Sequence, residues 1–311
     1  MSVFTFLLLA CTGAPSDSAG PAPVTLLDEY ALADDSFPES VAWDPVTEAF
    51  YTSSLGTGAV SKTLGTGETS TFYAGDAASG WLTIGLEVDV ERRRLWVCAS
   101  VFDGSAAGEL WVFDLDSAAQ LATLPLSSGR ADASCTDVNL DAQGVAYVTD
   151  RENPAIYRAD LGAGTGELFL EDPLLEPDLI GLNGVAFTPD GAHLLVTKYL
   201  AAELLRIPLA DPAALTTVSL TGDPFEGDDG FSGADDIVFS GDVLYATLVD
   251  RLMVLTSADD WSSATVTASD LEDGGVTGLT LAEGSIYGAN GQAVEFTLGT
   301  APEPFWIRRL E

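Results

Sequence analysis

Apolar residues in this chain fall in short runs that alternate with polar ones, broken by turns rich in Gly, Asp, Asn and Pro. That period predicts strands, with a short helical turn near Ala201 to Leu205 as the exception. One pattern recurs six times: small or polar residues, an apolar strand, a turn, and a second strand ending in a small or hydroxylated residue. The copies are ESVAWDPVTEAFYTS from Glu39, IGLEVDVERRRLWVCAS from Ile84, TDVNLDAQGVAYVTD from Thr136, NGVAFTPDGAHLLVTK from Asn183, DDIVFSGDVLYATL from Asp235 and TGLTLAEGSIYGAN from Thr277. Their first residues are spaced by 45, 52, 47, 52 and 42 positions. The turns DPVTEA, DAQG, PDGA and SGD carry hairpin chemistry.

Two further strands follow each hairpin: GAVSKTL and TSTFYAG, LWVFDL and LATLPL, AIYRAD and ELFLED, LLRIPL and TTVSL, RLMVLTS and ATVTAS. Four antiparallel strands at this period make a propeller blade, so the chain reads as an all-β, six-bladed β-propeller over 24–311. The sixth unit offers only PFWIRRL, Pro304 to Leu310, as a third strand. VTLLDEYA, Val24 to Ala31, is the expected outer strand, closing the ring by pairing the two ends of the chain.

Of the 311 residues 48 are acidic and 12 basic, a formal charge of −36, with only Lys62 and Lys198 as lysines. Such a surface repels nucleic acid and anionic membranes. At 47% apolar residues the chain folds despite its charge. A single histidine, His193, removes Ser-His catalysis, and three cysteines without CxxC spacing argue against a thiolate zinc site. Cys98 and Cys135 fall at one edge of adjacent blades, either as a disulfide favoured by export or as two buried thiols.

Residues 3 to 10, VFTFLLLA, form an apolar run too short to span a bilayer, and LLAC, Leu8 to Cys11, resembles the lipobox of bacterial lipoproteins. The reading is a signal peptide over 1–10, acylation of Cys11, and a Pro-rich tether over 11–23. Met1 and Ser2 carry no basic residue, a departure from such signals. The expectation is an exported, membrane-anchored lipoprotein that meets the membrane through its lipid only and is otherwise monomeric.

FPESVAWD, GLEVD, CTDVNLDAQGVAYVTD with RENPAIYR, GLNGVAFTPDG and GADDIVF, in this order and at these spacings, resemble the SMP-30/gluconolactonase/LRE-like family of six-bladed propellers. The resemblance implies a divalent cation, calcium most readily, held by Glu39, Asn183 and Asp235. All three begin an innermost strand of the repeat, and two carboxylates with an amide oxygen are hard ligands suited to calcium or magnesium. The family's substrate Asn falls at Thr136, beside Asp137, and its Arg falls at Ser134, so Arg130 is the candidate replacement. Thr136, Asp137 and Arg130 are therefore the candidate substrate-binding residues, and Asp235 the candidate general base.

The acidic approach to blade five includes Asp223, Glu226, Asp228, Asp229 and Asp236, of which Asp229 reads as an exposed loop residue. His193 is expected to be exposed at the far end of its strand. Arg92 to Arg94 read as a solvated turn, and Trp81 and Tyr199 as pocket-lining or core residues. Two functions remain: a calcium-dependent hydrolase of a small ester or lactone, and a non-catalytic anchored propeller that binds a ligand or partner around a structural calcium.

Overall fold

The computed structural model describes residues 24–128, 130–162, 164–227, 233–300 and 304–311. The lipobox with Cys11, the tether, Asp228 and Asp229 lie outside them. Six separate sheets surround a central channel, each an antiparallel meander running from the channel outward. The innermost strands are Val41–Asp44, Leu82–Asp89, Val138–Leu140, Leu182–Phe187, Asp236–Ser240 and Val276–Ala282. Blade six is completed from both ends of the chain, because Glu29–Ala31 pairs antiparallel with Trp306–Arg309. This is the closure the sequence predicts.

The apolar core is divided into six wedges, each filling one seam between neighbouring blades. Alternation along the strands requires this: one face of each blade packs on the blade before it and the other on the blade after. The seam between blades two and three, with Trp96, Leu110, Val138 and Tyr157, also holds a disulfide between Cys98 and Cys135, whose Cα atoms are 5.1 Å apart.

Four features depart from the sequence reading. Thr216–Thr217 pairs with blade four, but after buried Val218 the chain crosses over, and Ser219–Gly222 runs parallel to Ser263–Asp270 as a fifth strand of blade five. The expected helical turn near Ala201 is a tight turn leading into the strand Glu203–Pro208, while a short helix, Ala293–Leu298, interrupts blade six. His193 is buried, with 7% of its surface exposed, because Asp260 and Arg206 close over it from blades five and four. Arg93 is no solvated turn residue, for it reaches into the neighbouring blade and grips buried Asp44.

Around the channel the blades alternate. The innermost strands of blades two, four and six each carry a bulge at a glycine, Gly85, Gly184 or Gly278, whereas those of blades one, three and five are regular. Each glycine faces the following blade at close range: a Cβ on Gly184 would sit 2.8 Å from the Asp236 Cα, and one on Gly278 2.7 Å from the Ser40 Cα. The bulge frees backbone donors toward that blade. Gly85 N–H donates to Thr136 O and Gly184 N–H to Asp235 O, both at 2.9 Å. Between these contacts Val185 N–H donates to Asp137 Oδ2 at 3.0 Å and Leu279 N–H to Asp236 Oδ2 at 2.7 Å. Inner strands that would otherwise be unpaired edges are thus stitched to their neighbours around the channel.

Candidate metal and substrate site

Each of the three candidate cation ligands is set by backbone contacts from a neighbouring strand. Glu39 follows Phe37, which is held in the left-handed region at φ 37°, and the intervening Pro38 carbonyl accepts from Thr277 Oγ1 at 3.2 Å. A bulky residue in that region is a local cost that the packing of Phe37 on Phe296 and Phe305 offsets. The Asn183 carbonyl accepts from Thr149 Oγ1 at 2.7 Å, and Asp235 N–H donates to Thr247 O at 2.8 Å. Threonine recurs because a β-branched strand residue can also present a hydroxyl to the next blade.

The three side chains come together. Glu39, Asn183 and Asp235, with Ser40, Asp137, Asp236 and Thr277, line one small, tightly closed void at the mouth of the channel. Asn183 Nδ2 donates to Asp235 Oδ1. Burial, and then the charges of Asp235, Asp137 and Asp236, push Glu39 well above the ordinary carboxylate range, while Arg151 pulls the other way. Asp235 is raised by burial and by Asp236, against the hydrogen bond from Asn183 and the charge of Arg151. Asp137 and Asp236 are raised chiefly by burial. Below them a cavity of about 290 Å³ continues along the channel and is lined by Glu87, which burial, Asp236 and Asp89 push up to about 8.

These groups fit a hard divalent cation. Buried carboxylates that resist ionisation beside one another are what a cation would relieve. Among the described residues no three Asp, Glu, His or Cys side chains form a metal-holding group by themselves. The candidate set is two carboxylates plus the Asn183 amide. Half a turn of that amide would exchange its donor for an acceptor oxygen.

The substrate candidates are distributed differently. Asp137 faces the void, but its Oδ2 is committed to Val185 N–H. Thr136 is buried beside it, and its Oγ1 accepts from the backbone N–H of Arg151 at 3.2 Å. Arg130 is not brought to the mouth. It pairs with Asp132 and with Glu171 on the outermost strand of blade three, since the loop carrying it runs outward. The cation whose charge reaches Glu39 and Asp235 is Arg151, which the sequence reading passed over. Its signal is the RENP turn directly after the third repeat, anchored by Asp150. That carboxylate is fully buried and accepts from Ser134 N and Oγ, Glu152 N, Asn153 N and Nδ2, and Tyr157 OH. Trp81 packs at a tilt on Trp111, ring centroids 5.8 Å apart, and Tyr199 is buried against Gly233. Asp223 caps the Ala268 N–H at 2.8 Å on the surface.

Comparison with solved structures gives the same architecture. The major allergen of Malassezia sympodialis superposes with a TM-score of 0.72 at 17% identity, over 92% of this chain and 97% of its own. A gluconolactonase from Xanthomonas campestris gives 0.64 at 17% identity, over 90% and 88%. Virginiamycin B lyase from Staphylococcus aureus gives 0.58 at 13% identity, over 91% and 98%. At these identities the likeness is one of fold. No protein-family profile matches the chain, and no match is found among curated proteins.

Proposed function

We propose that this propeller is a divalent-cation-dependent hydrolase of a small ester or lactone. The observation that carries the reading is the meeting of Glu39, Asn183 and Asp235, from blades one, four and five, around a single void at the channel mouth. The gluconolactonase from Xanthomonas campestris supports it at the level of fold. A bound calcium or magnesium ion would supply Lewis-acid polarisation of the substrate carbonyl and acidify a water. Glu39 and Asp235 would bring the charge to hold the ion, and the Asn183 amide oxygen would complete the donor set of the protein. Asp235, buried beside the void, is the general base that takes the proton as water oxygen bonds to the carbonyl carbon. The acyl C–O bond then breaks, and the leaving oxygen takes up a proton, giving the hydroxy acid or the acid and alcohol.

The test is a panel of lactones and aryl esters assayed with the purified protein in excess calcium and in chelator. Calcium-dependent turnover that Asp235→Asn abolishes is expected. Calcium-raised melting without turnover of any substrate would transfer support to the non-catalytic ligand-binding propeller. One observation favours that second reading: the Ser134 and Thr136 hydroxyls are already engaged with Asp150 and Arg151.

We also infer that the chain is exported and anchored through Cys11. The Cys98–Cys135 disulfide supports an oxidising compartment. Mass spectrometry of protein from a bacterial host should find an acylated amino-terminal cysteine, and a product retaining Met1 would refute it.

A further inference from the structure

A second cavity, of about 400 Å³, opens on the mouth face between blades two and three, with Ser100, Phe102, Ser134, Arg151 and Asn153 among its lining residues. Arg151 is fixed there at both ends. Its backbone N–H is shared between Ser134 Oγ at 3.1 Å and Thr136 Oγ1 at 3.2 Å. Its guanidinium lies over the face of Phe102, 4.0 Å from the ring centroid, and Nε donates to Glu152 at 3.1 Å. The polar neighbours are occupied: Ser100 Oγ accepts from Cys135 N–H, Ser134 Oγ donates to Asp150, and Asn153 Nδ2 donates to Asp132 O and Asp150. The lining carboxylates are occupied too, Asp132 by Arg130, Asp103 by the Ser105 N–H and Glu152 by Arg151. What remains is Arg151 Nη1 and Nη2, which have no hydrogen-bond partner among the described residues.

We propose that this cavity is the recognition subsite of the hydrolase and that it takes a carboxylate carried by the substrate, gripped by Nη1 and Nη2 of Arg151. The proposal rests on the hydrolase reading above and narrows its substrate class to lactones or esters of small hydroxy acids that bear a second carboxylate. A planar fork held against an aromatic face matches the two oxygens of a carboxylate, whereas a hydroxyl or amide would use the fork incompletely. The chain's charge of −36 opposes an anion at long range. Beyond about 8 Å that repulsion is screened at physiological salt, so the local bidentate contact decides. The Arg151 N–H donates to Thr136 Oγ1, and the adjoining Asp137 lines the void with Glu39 and Asp235, which puts the subsite beside the reacting centre. Hydrolysis there adds one water, breaks the acyl C–O bond of the ring and yields a hydroxy dicarboxylate.

The test compares the five-membered lactone of α-hydroxyglutarate with its primary amide, on wild type, Arg151→Gln and Arg151→Lys, each first shown to melt as wild type does. Wild type should favour the acid by about tenfold or more in kcat/KM. Arg151→Gln should remove that preference through KM, the acid losing about tenfold more than the amide, and Arg151→Lys should retain part of it. Equal handling of acid and amide by wild type, or an equal loss on both in Arg151→Gln, overturns the proposal. A calorimetric titration of calcium-saturated protein with α-hydroxyglutarate separates the two readings. Binding that weakens about tenfold in Arg151→Gln, with no lactone turned over, upholds the subsite and sinks the hydrolase. Equal binding by the two proteins sinks the subsite.

Discussion

Arg93 donates through both terminal guanidinium nitrogens to the two carboxylate oxygens of Asp44, at 2.7 and 2.9 Å, and so fastens blade two to blade one. Asp44 is fully buried, and burial alone would raise its pKa. The hydrogen bonds from Arg93, Thr47 and Val46, with the charge of Arg93, hold it below the ordinary value instead. Arg93→Met strands that carboxylate and should cost about 3 kcal/mol, a fall in melting temperature of about 5 °C or more. A depressed carboxylate stabilises fully above its unfolded pKa of about 4, and that contribution is lost as pH falls through the folded value. The gap between wild type and Arg93→Met, read from melting curves, should therefore narrow in acid.

Calcium should stabilise the ring. A ligand that binds only the folded state adds about 2.7 kcal/mol at one hundred times its Kd, so the melting temperature should rise by a few degrees with calcium and fall with chelator. Asp235→Asn should weaken the response, and Asp242→Asn, at an exposed hairpin turn, should leave it intact. Superimposable curves in calcium and chelator would remove the cation from the assignment.

Glu87 provides a pH signature of its own. Its folded pKa of about 8, raised by burial and by Asp236 and Asp89, means that the native state keeps a proton the unfolded chain has already released. Stability therefore falls as pH rises from about 4 toward 8. Glu87→Gln, melted in chelator, should exceed wild type by a few degrees at about pH 8 and match it near pH 4. A constant difference across that range would show that the channel imposes no such penalty.

The disulfide closes a loop between residues 37 apart in sequence. On the chain-entropy argument Cys135→Ser costs up to about 4 kcal/mol. Thiol counting on the denatured, unreduced protein should find neither Cys98 nor Cys135 free. Detection of both thiols in oxidatively prepared protein would contradict the pairing.

The blade hairpins were legible because a half-buried strand pair must alternate, and six copies at a near-constant period leave few other architectures. Glu39, Asn183 and Asp235 were legible for a related reason: equivalent positions in a closed ring end up facing one another however far apart they lie in the chain. Arg151 was not legible, since its reach depends on Asp150 collecting six hydrogen bonds in a loop that no repeat position encodes. Val218 shows the same limit, because a single apolar run feeds two blades and only packing decides where it is divided.

The sequence by itself determined the number of blades, the strand that closes the ring and the column of polar residues at the channel mouth, all consequences of period and position. Tertiary structure alone decided that the ring alternates, with Gly85, Gly184 and Gly278 admitting the backbone of the next blade. It also decided that Asp137 and Asp236 each give one oxygen to a neighbouring strand, and that Arg151 rather than Arg130 carries positive charge to the mouth. Those outcomes depend on which surfaces meet when six sheets close around one axis, and a one-dimensional pattern contains no record of contacts between repeats.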